Sequence, residues 1–291
     1  MFFLRLLSQL PLRFLYFFSD FLFIVAYYLT GYRKKLVMRN LRQSFPDRNP
    51  KEVRMIAKDF YRHLCDYAVE SLKLISISRE ELIERVELRN PEVLTDHTSR
   101  GQSVMVLASH TFNWEWLLAA SSVRLPAQLD FVYQAQRSRF ANRFSLEGRC
   151  RFGAYAIERF QVGRENVLRK DLTRILAIVA DQYPGLQRDK KIVVPFLHQQ
   201  TAFFLAPQTL ANTTGFPVYY AQIRKVRRGY YTVFFEPLGS PPFEGEKNSL
   251  IHRYASAIEK LIHERPSEWL WSHNRWKQRH ITTASASHPP A

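Results

Sequence analysis

Residues 103–109 read SVMVLAS, an unbroken apolar run between two serines. A strand wetted on one side alternates apolar and polar residues, so an unbroken run belongs to a strand covered on both faces. The rest of the chain must supply that cover, and it does so in a regular order. Residues 114–123 suit a helix with Thr111 or Asn113 as N-cap, 129–134 (LDFVYQ) a second strand and 138–147 a second helix. AYAIERF reads as a third strand, 165–176 as a helix, and RILAIVA (174–180) as an apolar helix end or a strand. After the DQYPG turn come KIVVPF, a helix over 205–213, the strand-like FPVYYAQI and YYTVFFEPL, and a closing helix over 249–264. Upstream, Val53, Ile56, Phe60, Leu64, Tyr67 and Leu74 fall at helical spacing, so 50–75 is predicted helical, followed by a charged surface helix and a connection over 79–100. The interleaving predicts an α/β domain whose mixed, mostly parallel sheet is flanked by helices.

The N-terminus sets the location. LPLRFLYFFSDFLFIVAYYL (10–29) has the length of about 20 residues that a bilayer span needs, but it carries Arg13 and Asp20. An ionised carboxylate at mid-membrane costs roughly 2.5–3.5 kcal/mol on insertion scales. Residues 1–32 are therefore expected to form a membrane anchor that either spans marginally or lies in the interface, with a buried core helix as the alternative. A cleaved signal peptide fits less well, since no small-residue cleavage site follows. Arg33, Lys34, Lys35, Arg39 and Arg42 outnumber Arg5 and Arg13 on the other flank, which puts the main domain, 33–280, on the cytoplasmic side of the inner membrane. The tail 281–291 is expected to be disordered. A net charge of +16 calls for a polyanionic neighbour without choosing one. No nucleic-acid-reading motif is present, and two cysteines without metal-ligand spacing argue against a disulfide framework or a structural zinc.

The candidate chemistry follows the apolar run. In open α/β sheets ligands collect beyond the carboxyl ends of strands, and His110 stands there. Glu115 falls in the first turn of the next helix, where a tight turn brings its carboxylate back to the imidazole; the competing reading is two ordinary polar residues in a loop. A carboxylate on one ring nitrogen fixes the tautomer and leaves the other nitrogen to take a proton. Arg137, Arg139, Arg143 and Arg149 form either a phosphate cradle or a solvated helix face. Asp181 and Gln182 hold Arg149 or substrate, or they only cap a turn closed by Pro184 and Gly185. Trp269, Trp271 and Trp276 read as core and interface packing rather than ligand stackers.

SHTFNWE (109–115) resembles the His-x4-Asp/Glu motif of glycerolipid-type acyltransferases, and the surroundings resemble the bacterial lipid A biosynthesis branch. GRCRFGAYAI (148–157), VADQYPG (179–185), the segment 194–218 and PSEWLWSHNRWK (266–277) are similar to successive motifs of that family, in the same order. The resemblance implies transfer of an acyl chain from an acyl-carrier-protein or coenzyme A thioester, a co-substrate rather than a cofactor, to a hydroxyl of a membrane-bound glycolipid acceptor. It implies His110 as general base, Glu115 as its orienting partner, and no metal or covalent enzyme intermediate. Oxyanion donors are expected among the N–H groups of 111–113 or at Arg149. The chain departs from the pattern at Phe112 and His198, where the family has glycine, and at Gln134, where it has arginine. Two alternatives remain: a lysophospholipid or other glycolipid or aminolipid as acceptor, or a non-catalytic basic module that binds membrane or nucleic acid and leaves His110 and Glu115 unexplained.

Overall fold

In the computed structural model, which describes residues 2–243 and 248–277, the run at 104–108 is the central strand of a seven-stranded sheet. The tail expected over 281–291 lies outside the described residues. The elements in chain order are α1 (Phe2–Ser8), α2 (Leu12–Ile24) continued by a π-helical turn (Val25–Leu29), α3 (Lys34–Ser44), α4 (Pro50–Lys73), α5 (Arg79–Arg85), β1 (Val86–Leu88) and α6 (Glu92–Thr98). The sheet's middle follows: β2 (Val104–Ala108), α7 (Trp114–Arg124), β3 (Gln128–Tyr133), α8 (Arg139–Cys150), β4 (Tyr155–Glu158), α9 (Val162–Leu168) and β5 (Arg174–Val179). Then come β6 (Lys191–Phe196), β7 (Gln199–Phe204), α10 (Ala206–Thr214), β8 (Val218–Arg227), β9 (Tyr230–Gly239) and α11 (Ser249–Glu264).

The strand order is β1-β9-β8-β2-β5-β3-β4. From β8 to β4 all pairings are parallel, and β9 turns back antiparallel beside β8. Every residue of β2 is buried, as an unbroken apolar run requires. Its side chains alternate between two clusters: Val104, Val106 and Ala108 pack with Trp116 and Leu117 of α7, while Met105 and Leu107 pack with Phe60 of α4 and Ile258 of α11. The long α4 starts where local chemistry dictates, with Asn49 and Glu52 forming a reciprocal capping box around Pro50.

Of the two readings left open for RILAIVA the strand holds, and three other local expectations change. RILAIV is strand β5, inserted between β2 and β3, and the helix before it is confined to Val162–Leu168. The run holds three β-branched residues, Ile175, Ile178 and Val179, and its neighbours on both sides need a pairing partner, so tertiary demand outweighs helical periodicity. β1 is only three residues long, and its polar Glu87 masks it in the sequence. β7 pairs with β6 through a two-residue turn at Leu197 and His198, both with positive φ (50° and 61°), although neither is a glycine or asparagine.

Leu12–Leu29 is, among the described residues, the one helix long and apolar enough to cross a membrane. It runs along α4 and is tied to the domain by polar bonds. Ser19 Oγ donates to Asp66 (2.7 Å), Tyr16 Oη donates to Glu70 (2.7 Å), and Arg228 Nη2 reaches both Asp20 (2.7 Å) and Asp66 (2.6 Å). The opposite side carries Phe14, Phe17, Phe18 and Phe21, all exposed.

Candidate active site

β2 and β5 are parallel neighbours in register, with Ala108 opposite Val179. Two residues beyond each strand end stand His110 and Asp181, so the sheet itself sets them face to face. His110 Nδ1 lies 2.5 Å from Asp181 Oδ1, and the His110 backbone N–H donates to Asp181 Oδ2 at 2.9 Å. Trp269 Nε1 adds a third donor to Oδ2 at 2.7 Å. Burial alone pushes the Asp181 carboxyl up. The His110 imidazole and the donated bonds from His110 and Trp269 outweigh that push and hold it below the usual carboxylate range. An ionised Asp181 can only accept, so it takes the Nδ1–H and fixes the tautomer in which Nε2 is the accepting nitrogen.

The partner expected for His110 was Glu115, and here the geometry differs. Asn113 caps α7, its Oδ1 accepting the N–H groups of Glu115 (3.1 Å) and Trp116 (3.2 Å). That cap starts the helix with Glu115 turned toward α8, where Arg149 grips it with Nε at 2.7 Å and Nη2 at 2.6 Å. Trp114 stands between the two groups. Its ring meets the His110 imidazole edge-on at 4.9 Å, and its Nε1 donates to Glu115 at 3.1 Å. Tyr67 Oη donates to the same carboxylate at 3.3 Å. Asn113 is itself held by the buried Glu70, which accepts from its Nδ2 at 2.8 Å.

The remaining candidates divide. His110, Glu115, Arg149 and Gln182 line one cavity of about 1150 Å³. Arg139 and Arg143 line a separate, shallower hollow with Arg5 and Glu147, and Arg137 is exposed on the loop before α8. The arginine run thus does not gather around His110; of its four members only Arg149, on the last turn of α8, lines the same cavity. Of the main-chain donors expected at 111–113, the Phe112 N–H is taken by the Glu268 carbonyl (3.0 Å). The bonds from Arg149 to Glu115 use Nε and Nη2 and leave Nη1 out of that pair. Among the described residues no three His, Cys, Asp or Glu side chains gather in a way that could hold a metal ion.

Several supporting residues carried no functional reading from the sequence. Tyr254 Oη, from α11, donates to the Ala108 carbonyl (2.6 Å) and accepts the Ala180 N–H (3.2 Å), tying the ends of β2 and β5 together. Residues 268–270 pair with 110–112 in a single antiparallel bridge centred on Thr111 and Trp269. His273, whose pKa burial lowers to about 4, is neutral and accepts the Tyr183 N–H at 3.1 Å. The tryptophans at 269 and 271 are buried, and Trp269 bonds directly to the carboxylate behind the histidine. Its place in a tryptophan-rich segment was a visible signal; its partner was not.

The profile of the family described as bacterial lipid A biosynthesis acyltransferase matches residues 1–278. No curated protein matches the chain.

Proposed function

The chain belongs to the bacterial lipid A biosynthesis acyltransferase family and is an acyltransferase, and on that premise we propose that His110, oriented by Asp181, is the general base for acyl transfer from a thioester to a lipid hydroxyl. The observation that carries this reading is the 2.5 Å contact between His110 Nδ1 and buried Asp181 at the wall of a largely apolar cavity. Nε2 takes the proton of the acceptor hydroxyl as its oxygen bonds to the thioester carbon. The carbonyl oxygen becomes an oxyanion, stabilised by the free Nη1 of Arg149, whose other nitrogens are locked by Glu115. Collapse breaks the C–S bond, and the imidazolium returns the proton to the leaving thiolate. Glu115 thereby acts through Arg149 rather than through His110.

The donor is an acyl-carrier-protein thioester, for which the +16 charge is suited, and the acceptor is a hydroxyl of a lipid A precursor. Residues 1–32 serve as the anchor and the following residues as the transferase domain at the cytoplasmic face of the inner membrane. The helix at 12–29 lies in the interface: its bonds to Asp66, Glu70 and Arg228 hold it against α4, whose charged residues exclude both from the bilayer core.

The test is acyl transfer by purified protein from an acyl-carrier thioester to a disaccharide lipid A precursor, read by mass spectrometry. His110→Ala should lose about 10²–10⁴-fold in rate, and Asp181→Asn should lose a comparable share by presenting the wrong tautomer. Retained transfer in His110→Ala overturns the mechanism, and a large loss in Glu115→Gln beside a normal Asp181→Asn returns Glu115 to the orienting role.

A further inference from the structure

The cavity beside His110 reaches both faces of the sheet. Side chains alternate along a strand, so Leu129 and Ala177 point toward α7 while Val132 and Ile178 point to the opposite face. All four line the same cavity. It therefore has two arms, which join over the carboxyl ends of β3 and β5, where His110, Glu115 and Gln182 stand.

The arms differ in character. The one beneath α7 is walled by Leu117, Leu125, Leu129, Ile175 and Phe235, none more than 5% exposed, with hydroxyls at Ser121 and, near the end of β3, Tyr133. Its wall is closed by buried apolar side chains and offers few partners to a polar group. The arm beneath α9 and α10 is walled by Phe160, Phe204, Leu210 and Phe216, none of them fully buried, and its lining includes Val167, which is 70% exposed. Its rim carries the exposed cations Lys170, Arg188 and Lys190. Arg174, at its floor, is already committed to Asp130 and to the Arg169 and Leu172 carbonyls.

Direct transfer between two lipids requires both reacting groups at one imidazole at the same moment, so two hydrocarbon chains need separate seats meeting there. We propose that the apolar arm under α7 holds the donor acyl chain, while the arm under α9 and α10 holds a hydrocarbon chain of the acceptor, an anionic lipid whose head lies against the rim cations. The assignment rests on the acyl-transfer reading above and adds which chain occupies which face. A saturated chain that ends in methyl fits a blind apolar arm. A chain tethered to a phosphorylated head fits an arm with an open, basic rim.

Steric filling tests it. Leu210→Trp narrows the acceptor arm and Leu118→Trp the donor arm; Val167→Trp narrows the acceptor arm from an exposed position that the fold does not depend on. The probes are a disaccharide lipid A precursor for transfer kinetics and a non-hydrolysable acyl-pantetheine thioether for donor binding by calorimetry. Leu210→Trp and Val167→Trp should raise the acceptor KM, for Leu210→Trp by about tenfold or more, and leave affinity for the thioether unchanged. An acceptor with shortened chains should recover much of the loss. Leu118→Trp should move donor preference to shorter acyl chains. A shift in donor preference in Leu210→Trp, or an unchanged acceptor KM in both acceptor-arm variants, overturns the assignment. Absence of transfer by the unaltered protein would instead overturn the reading it rests on.

Discussion

Asp181 accepts two donors from His110 and one from Trp269 on two oxygens, which leaves its carboxylate no freedom to rotate. The neighbouring segment contains an acid of the opposite temperament. Burial pushes the Glu268 carboxyl up to about 7, opposed by the Lys225 backbone N–H and the charges of Arg265, Lys225 and Arg224. Its folded pKa lies above its unfolded value, so between about 4.5 and 7 the folded state binds the extra proton and stability falls as pH rises. The contribution is fully present below about 4.5 and gone above about 7, on the order of 3 kcal/mol at most. Glu268→Gln should match the parent's melting temperature near pH 4.5 and exceed it at pH 8, as followed by thermal unfolding across that range. A constant gap would mean that Glu268 is ionised throughout. Because the Glu268 carbonyl holds the Phe112 N–H, the same comparison reports on the backbone that carries His110.

At the scale of elements, the turn between β6 and β7 concentrates strain in two left-handed residues without glycine. A non-glycine residue in that region costs roughly 1–2 kcal/mol. Leu197 is buried, so the replaceable one is His198, which is exposed. His198→Gly should raise stability by about 1 kcal/mol in chemical denaturation without altering transfer; an unchanged midpoint would locate the strain elsewhere. This turn also marks how far the fold was legible. β2, α4 and α11 were readable because periodicity and caps are local properties of the residues that form them. β7 was not, since HQQT lacks the usual turn residues and its apolar half merges with the next helix. His110 was readable as a polar group at the end of a buried strand. Its partner was not, because Asp181 comes opposite it only through the parallel register of β2 and β5, strands some seventy residues apart that no local pattern pairs. Glu115 was the nearest acid in sequence, and a helix cap together with one tryptophan redirect it to Arg149.

At the scale of the whole molecule, the apolar helix, the β8–β9 turn and the end of the sheet that carries His110 share one side of the protein. Arg228 in that turn ties to Asp20 of α2, and Arg5 of α1 binds Glu147 of α8, the helix whose last turn carries Arg149. A surface with phenylalanines outward and cations around it suits an anionic monolayer. Phe17 and Phe21 are 74% and 60% exposed and touch nothing the fold needs. The double variant Phe17→Glu/Phe21→Glu should therefore fold normally and sediment with phosphatidylglycerol vesicles about a hundredfold less well, from the loss of roughly 3 kcal/mol of buried ring. Unchanged sedimentation would remove this helix as the contact. The supports of the His110–Asp181 pair come from the far end of the chain: a phenol at 254, an indole at 269 and an imidazole at 273. A ribosome that has released residue 181 has already delivered the histidine and its acid, yet nothing clamps the two strand tips. His110 and Asp181 therefore gain these supports only when residues 254–273 have joined them, close to the end of synthesis.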